Sequence, residues 1–283
     1  MRIDLHSHSD ASDGTQPPAD VVRRAREAGL DVLALTDHDT VDGLPAATAA
    51  LPAGLTLVPG MELSSRRDGM SIHLLAYLFD PAAPELADEC RRIRDARERR
   101  GREMVERLIE LGVPVTWEQV GALTNGGVVG RPHIARAMVE AGAITEPAQA
   151  FTSEWIAPGG RAYVSRYALD PVTAVRLVTA AGGVAVLAHP KAGRRGRVIP
   201  DEWISELAET GLFGVEVDHL DHDPAARTHL RRLAADLGLA ATGSSDDHGE
   251  LTGHRLGCET TALEVYERLV AAASGTVPIT RDR

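Results

Sequence analysis

The stretch RIDLHSHSDASDG (residues 2–14) sets the first question about this chain. A short β-like run over residues 2–5 delivers two histidines one residue apart, His6 and His8, with Asp10 and Asp13 close behind. Alternate residues of a strand share a face, so both imidazoles can meet one centre. A lone His-x-His is equally at home in a polar loop. Its meaning depends on what the rest of the chain brings to the same place.

The pattern repeats outward from that stretch. Residues 31–36 (DVLALT), 55–63 and 70–79 read as strands, with helices expected after Pro17-Pro18 and over GLPAATAAL, residues 43–51. The later part predicts helices at 171–181, 201–210, 224–237 and 261–273, alternating with strands at 184–188, 213–217 and 239–244. Such alternation predicts an α/β protein with a mainly parallel sheet, open or closed into a barrel. Residues 85–112 read as a long charged helix interrupted at Gly101. The segment that follows, to about Trp155, is helical without a strand. The expected division is a discontinuous α/β domain, 1–98 and 162–283, carrying a helical insertion over 99–161.

Histidines and acids fall at the ends of those strands. His6 and His8 follow the first and Asp37, His38 and Asp39 the second; Glu62 closes the third, and His73 lies in the fourth. His189 follows VAVLA, His219 follows FGVEV, and Asp246, Asp247 and His248 follow the last strand. In parallel α/β folds the C-terminal strand ends make one face, where binding groups gather. Imidazole and carboxylate together suit divalent Zn, Mn or Fe. Paired ions of this kind activate water and clamp phosphoryl groups.

Composition narrows the partners. The 43% apolar and 25% charged content is that of an ordinary globular chain, and no apolar run reaches membrane-spanning length. With no secretory pattern at the N-terminus, the expected compartment is the cytoplasm. Cys90 and Cys258 stand far apart in no metal spacing, which predicts neither a disulfide framework nor a thiolate zinc site. A formal charge of −11 argues against sequence-blind binding to duplex DNA, although bound cations can make one spot attractive to phosphate. Lys191 is the sole lysine, all other basic charge being arginine.

Taken in order, DLHSHSDASDG, LALTDHDT, GMELSS, HLLAY, AHP and GSSDDH resemble the PHP (polymerase and histidinol phosphatase) family. The resemblance implies a distorted (β/α)7 barrel, a cluster of two or three divalent ions and phosphoester hydrolysis by metal-activated hydroxide. Carried over, it puts His6, His8, Glu62 and Asp246 on one ion and Asp13, His38 and His189 on a second. Glu62, His73 and His248 fall on the third. Aspartate at position 13, where some members have histidine, favours Mn or Fe over Zn. SDG, the insert motif GRPHIAR (residues 130–136) and GVEVDH resemble the branch acting on nucleotides. Members of that branch remove the 3′-phosphate of nucleoside 3′,5′-bisphosphates or trim short RNA from the 5′ end. The expected partner is therefore a small nucleotide or short RNA, with no duplex DNA and no membrane.

Around that cluster, Arg131 is expected to grip phosphate in a bidentate fashion, with His133 beside it. His219 is the expected proton donor to the leaving oxygen. Lys191 and His222 are candidates for substrate contact. Asp37 and Asp39 are expected to orient their neighbours. The rival readings are a histidinol-phosphatase-like enzyme and a metal-dependent amidohydrolase. The second commonly bridges its ions with a modified lysine rather than a glutamate.

Overall fold

Apolar runs of four residues, VLAL and VAVL, can only be satisfied with both faces covered, and the chain supplies helices to cover them. The computed structural model describes residues 1–124, 129–165, 167–193 and 198–281. Residues 125–128, inside the expected insertion, lie outside the described set.

The chain opens with β1 (Ile3–Asp4), α1 (Pro18–Glu27), β2 (Val32–Leu35), α2 (Leu44–Ala49), β3 (Thr56–Arg67) and β4 (Met70–Tyr77). Three helices follow, α3 (Pro84–Glu110), α4 (Trp117–Ala122) and α5 (Arg131–Glu140). The alternation resumes with α6 (Pro171–Ala180), β5 (Val184–Leu187), α7 (Asp201–Thr210), β6 (Gly214–Asp218), α8 (Pro224–Asp236) and β7 (Ala240–Gly243). It ends with α9 (Leu263–Ala272) and the short β8 (Ile279–Thr280), which pairs with the start of β3. Strands β1 to β7 lie in sequence order. A parallel bridge between Ser7 and Asp247, and a hydrogen bond from Thr261 N–H to the Ile3 carbonyl, bring the last strand round to the first. The sheet is a nearly closed barrel.

Two strands depart from the parallel expectation, the short β8, which runs antiparallel to β3, and β4. β3 and β4 are joined by only Asp68 and Gly69, both at positive φ (49° and 80°), and pair antiparallel. Two such residues form the tight turn that matches strand twist, so Asp-Gly marks a hairpin where no crossover helix intervenes. β4 is therefore antiparallel to β5 as well. The functional consequence is register. Because β4 runs backwards, its early residue His73 sits opposite Ser64, at the same rim as the C-terminal ends of the parallel strands.

Inside the barrel, Ile3, Val32, Val58, Leu75, Tyr77 and Val186 pack together, and the Tyr77 hydroxyl donates to the Leu5 carbonyl at 2.8 Å. Helices α6 to α8 cover one part of the outer face, while α1 and α2 cover another. A further apolar cluster runs from Met104 through Val120 and Ile134 to Ile156 and Val164. α3 connects the two regions. Leu86, Cys90 and Ile93 of its first half join the barrel-side core, and Met104, Val105 and Leu108 of its second half join the helical one. The interruption expected at Gly101 is absent: α3 continues through it for 27 residues. The glycine answers a packing need. A Cβ there would lie 3.0 Å from the Trp117 ring and 3.2 Å from Val129.

Candidate metal centre and phosphate pocket

The ends of the strands bring all nine histidine and acid residues of the expected cluster to one rim. His6 Nε2 and His8 Nε2 lie 3.1 Å apart; Glu62 Oε2 is 3.2 and 3.1 Å from them, and Asp246 Oδ1 3.2 and 3.4 Å. Next to this group, His8, Asp13, His38 and His248 converge, with His248 Nε2 3.3 Å from Asp13 Oδ1. On the other side His38 Nδ1 is 3.3 Å from Glu62 Oε2, while His73 Nδ1 and His189 Nε2 approach Glu62 Oε1 at 2.7 and 3.2 Å. The side chains thus pair differently from the sequence-based carry-over. His248 stands with Asp13 and His38, and His189 stands with Glu62 and His73. The exchange follows from the barrel: Asp247 N-terminal to His248 is bridged to Ser7, which draws that loop toward the first strand.

The donor set fits divalent ions on its own chemistry. His8 Nδ1, Asp13 Oδ1 and His38 Nδ1 are buried without a hydrogen-bond partner among the described residues. Such orphaned lone pairs are costly unless something positive lies between them. The carboxylates among these donors keep their charge. Burial alone would raise the Glu62 carboxyl, yet His38, His73 and His6 hold it well below the usual range. Asp13, also buried, is held well below by His38 and His248. Burial opposes charge on His8, but bonds to Asp246 and Glu62 push it up to about 10. These carboxylates demand cations. Asp39, His189 and Asp246 adopt left-handed backbone (φ 57°, 28° and 50°), a strain of about 1–3 kcal/mol each that gathers at functional sites.

A surrounding shell orients the donors. Asp37 accepts from Ser9 N–H (2.7 Å), Ser9 Oγ (2.6 Å) and Ser12 Oγ (2.7 Å), bracing the loop between His8 and Asp13. Asp39 accepts from Ser64 N–H at 2.6 Å and Arg97 at 2.7 Å. Both aspartates orient neighbours. Glu216 is the residue that the sequence reading passed over. Fully buried on β6, it accepts from His6 Nδ1 (3.2 Å), from His189 N–H (2.8 Å) and from the Ser244 hydroxyl. The available signal was a glutamate in the middle of an apolar strand, FGVEV.

Three of the expected substrate-side residues are otherwise engaged. His219 is fully buried; its Nδ1 accepts from Asp221 N–H at 3.0 Å, which leaves the proton on Nε2, 3.3 Å from Asp246 Oδ2. That contact orients the Asp246 carboxylate. His222 donates from Nδ1 to the Val217 carbonyl and accepts at Nε2 from Lys191 N–H, so it staples a loop. The Lys191 ammonium binds the Ile199 carbonyl and Asp201, both at 2.6 Å, at the start of α7. Its amine is therefore engaged at the start of α7, which also removes the bridging lysine that an amidohydrolase reading needs.

His133 lies near the rim, within reach of the Asp13 charge, while the Arg131 guanidinium lies over the Phe151 ring. They open α5, whose first turn lies against the second group of donors: a Cβ on Gly130 would sit 4.0 Å from Asp13 Cβ. His133 is buried and accepts at Nδ1 from Gly130 N–H at 3.0 Å, and burial lowers its basicity. Nearby, Arg97, Arg100 and Arg131 line a small pocket with Gly101, Gly130 and Ile134. Arg97 and Arg100 were hidden among the many arginines of a charged helix. No sequence signal separated them from surface residues.

A nearly closed barrel with this rim defines a metal-dependent phosphoesterase. Residues 4–83 match the PHP domain model. A 5′-3′ exoribonuclease of Haemophilus influenzae is 34% identical over 249 residues, covering 87% of this chain and 90% of that protein. A 3′,5′-nucleoside bisphosphate phosphatase of Chromobacterium violaceum is 35% identical over 258 residues, 89% of each. The crystal structure of a protein described as a metal-dependent phosphoesterase from Bifidobacterium adolescentis superposes with a TM-score of 0.88 at 33% identity, covering 96% of both chains. The chain belongs to the PHP domain family. Among the described residues, no helix is long and apolar enough to cross a membrane.

Proposed function

We propose that this enzyme hydrolyses phosphomonoesters of nucleotides, removing the 3′-phosphate of nucleoside 3′,5′-bisphosphates, and trims short oligoribonucleotides from the 5′ end. The observation that carries the reading is the juxtaposition of the donor cluster, eight residues in three groups joined by His189 beside Glu62, with the arginine-bearing first turn of α5. His6, His8, Asp13, His38, Glu62, His73, His189, Asp246 and His248 would hold two or three divalent ions, which when bound would supply Lewis-acid activation of water and offset charge at phosphorus. Manganese suits the mixed set best, because Asp13 adds a hard oxygen. Glu62 contributes both carboxylate oxygens and so couples neighbouring ion positions. Arg131 binds phosphate oxygens, and His133 shapes the turn that presents it. Segment 99–161 acts as an insertion that closes the substrate pocket over the barrel rim of 1–98 and 162–283. The relatives named above, an exoribonuclease and a bisphosphate phosphatase, support a nucleotide as the substrate class.

The test is phosphate release from a nucleoside 3′,5′-bisphosphate in the presence of Mn²⁺. Turnover that is abolished in His8→Ala supports the reading. A metal-replete enzyme that leaves bisphosphates, short RNA and simple phosphomonoesters untouched overturns it.

A further inference from the structure

The long helix α3 carries an arginine where its packing stripe calls for an apolar residue. Cys90, Ile93, Gly101, Met104 and Leu108 are buried along one face, a spacing of three and four residues with one gap, at position 97. Arg97 fills that gap, its side chain only 11% exposed. A guanidinium is tolerated there because the fully buried Asp39 meets it. Nε of Arg97 donates to Asp39 Oδ2 at 2.7 Å, and a second N–H of the same group reaches Ser64 Oγ. One turn earlier, Arg94 donates to the Asp39 backbone carbonyl at 2.7 Å. Charge-assisted bonds of this length are among the stronger ones a protein makes.

What Asp39 holds in turn is the donor rim. It follows His38 directly, in left-handed backbone (φ 57°), a conformation that persists only where the surroundings enforce it. Its N–H donates to the Glu62 carbonyl at 3.1 Å, and its Oδ1 accepts from Ser64 N–H at 2.6 Å. His38 and Glu62 are also joined by a parallel bridge. Asp39 thus fixes the backbone under two donors, His38 Nδ1 and Glu62 Oε2, which lie 3.3 Å apart. Asp37, two residues earlier, is held instead by Ser9 and Ser12 of the first rim loop. Of these two aspartates, it is Asp39 that ties the rim to α3.

From Arg94 the same helix runs unbroken to Leu108, about 20 Å further on, where it packs in the helical cluster with Val120 and Ile134. We infer that Asp39, gripped by Arg94 and Arg97, is a positioning residue that couples the helical segment to the donor cluster. The geometry of His38 and Glu62 and the seating of α3 are fixed together. Filling the ion positions therefore tightens α3, and loosening the grip of α3 weakens ion binding. The coupling is reciprocal, as linked equilibria require. It concerns ion affinity and the order of the helix, and it holds whichever phosphoester the enzyme cleaves.

Two measurements on the full chain with Mn²⁺ test it, and neither needs a substrate. Arg94→Met is the main variant, because Arg94 does not line the arginine pocket and its partner is a neutral carbonyl, so no buried charge is stranded. In hydrogen exchange followed by mass spectrometry, Mn²⁺ should slow exchange over residues 97–110 about tenfold or more in the wild type. In Arg94→Met the slowing should be less than about threefold. In chelator competition, Arg94→Met should bind Mn²⁺ about tenfold more weakly than wild type. Arg94→Lys keeps an N–H donor for the Asp39 carbonyl and should recover most of both effects. Wild-type exchange over 97–110 that ignores Mn²⁺ overturns the coupling. So does an Arg94→Met protein whose Mn²⁺ affinity lies within about twofold of wild type, or a lysine variant no better than methionine. If Arg94→Met is not recovered folded, Asp39→Asn gives the same readouts, since asparagine accepts left-handed backbone while removing the charge that Arg97 grips. A protein that passes both tests yet hydrolyses no nucleotide keeps this inference and loses the proposed reaction.

Discussion

Replacing Glu216 by glutamine keeps the shape of a fully buried side chain and removes its charge. In the native site Oε1 accepts from His6 Nδ1 and the Ser244 hydroxyl, and Oε2 accepts from His189 N–H at 2.8 Å. A glutamine has one oxygen and one NH₂. If the NH₂ faces His189, two N–H groups oppose each other across that short distance. If it faces Ser244 and His6, the hydroxyl can rotate away, but His6 then loses the acceptor that fixes its Nδ1 proton and leaves Nε2 free for a cation. Either arrangement leaves one buried donor unsatisfied, a cost of about 1–3 kcal/mol. Groups of this kind behind metal-bound histidines change metal affinity by about 10–100-fold, which is the same energy. The expected result for Glu216→Gln is therefore a 10–100-fold weaker apparent affinity for Mn²⁺, measured by chelator competition, with far-UV circular dichroism unchanged at saturating metal. A folded variant whose metal affinity lies within twofold of wild type would refute the reasoning, since His6 would then need no fixed tautomer.

Three further outcomes follow from separate parts of the molecule. Chelation should lower Tm by at least on the order of 10 °C by differential scanning calorimetry, because each ion at about 1,000 times its Kd contributes roughly 4 kcal/mol to a chain of this size. Gly101→Val should destabilise the protein by about 1–3 kcal/mol in urea unfolding, since its Cβ meets the Trp117 ring at 3.0 Å in a packed helix crossing. Lys191→Met should leave kcat/KM within about threefold and cost at most about 1 kcal/mol, the scale of a partly exposed pair. Against the push of burial, Lys191 and His229 hold the Asp201 carboxyl below its ordinary value. That contribution is present above the unfolded pKa of about 3.9 and is lost as pH falls through the lower folded value, so wild type and Lys191→Met should converge in stability at strongly acidic pH.

Much of the site was legible because its parts are local. His6 and His8, His38, Glu62, and Asp246 with His248 each follow a recognisable β-like run, so their common rim follows from the alternation of strands and helices. Even so, the hairpin at Asp68-Gly69 went unread, and with it the reversed direction of β4. His73 reaches the rim only because of that reversal. Gly101 shows a second limit. Glycine in a helical pattern reads as a break by propensity, whereas Trp117 and Val129 packed against it keep the helix whole. Long-range contact overrode a local preference worth only about 1 kcal/mol.

Residue type and spacing along the chain, with the resemblance they carry, were enough to reach the family and the barrel and to put histidines and acids at the strand ends. Those properties depend on periodicity and on short motifs, which a linear string carries. Only the tertiary structure decided which histidine stands beside which carboxylate, since His189 and His248 are 59 positions apart and their neighbours are set by barrel closure. It also decided the fate of the polar residues near the rim. His219, His222 and Lys191 look equally available in sequence, yet each spends its nitrogen atoms on a nearby backbone or carboxylate group. Arg100 reads as an ordinary charge of a charged helix, but it meets Arg131 in a pocket whose lining carries no acid. The reason is physical: whether a charge is free is a matter of its neighbours in space.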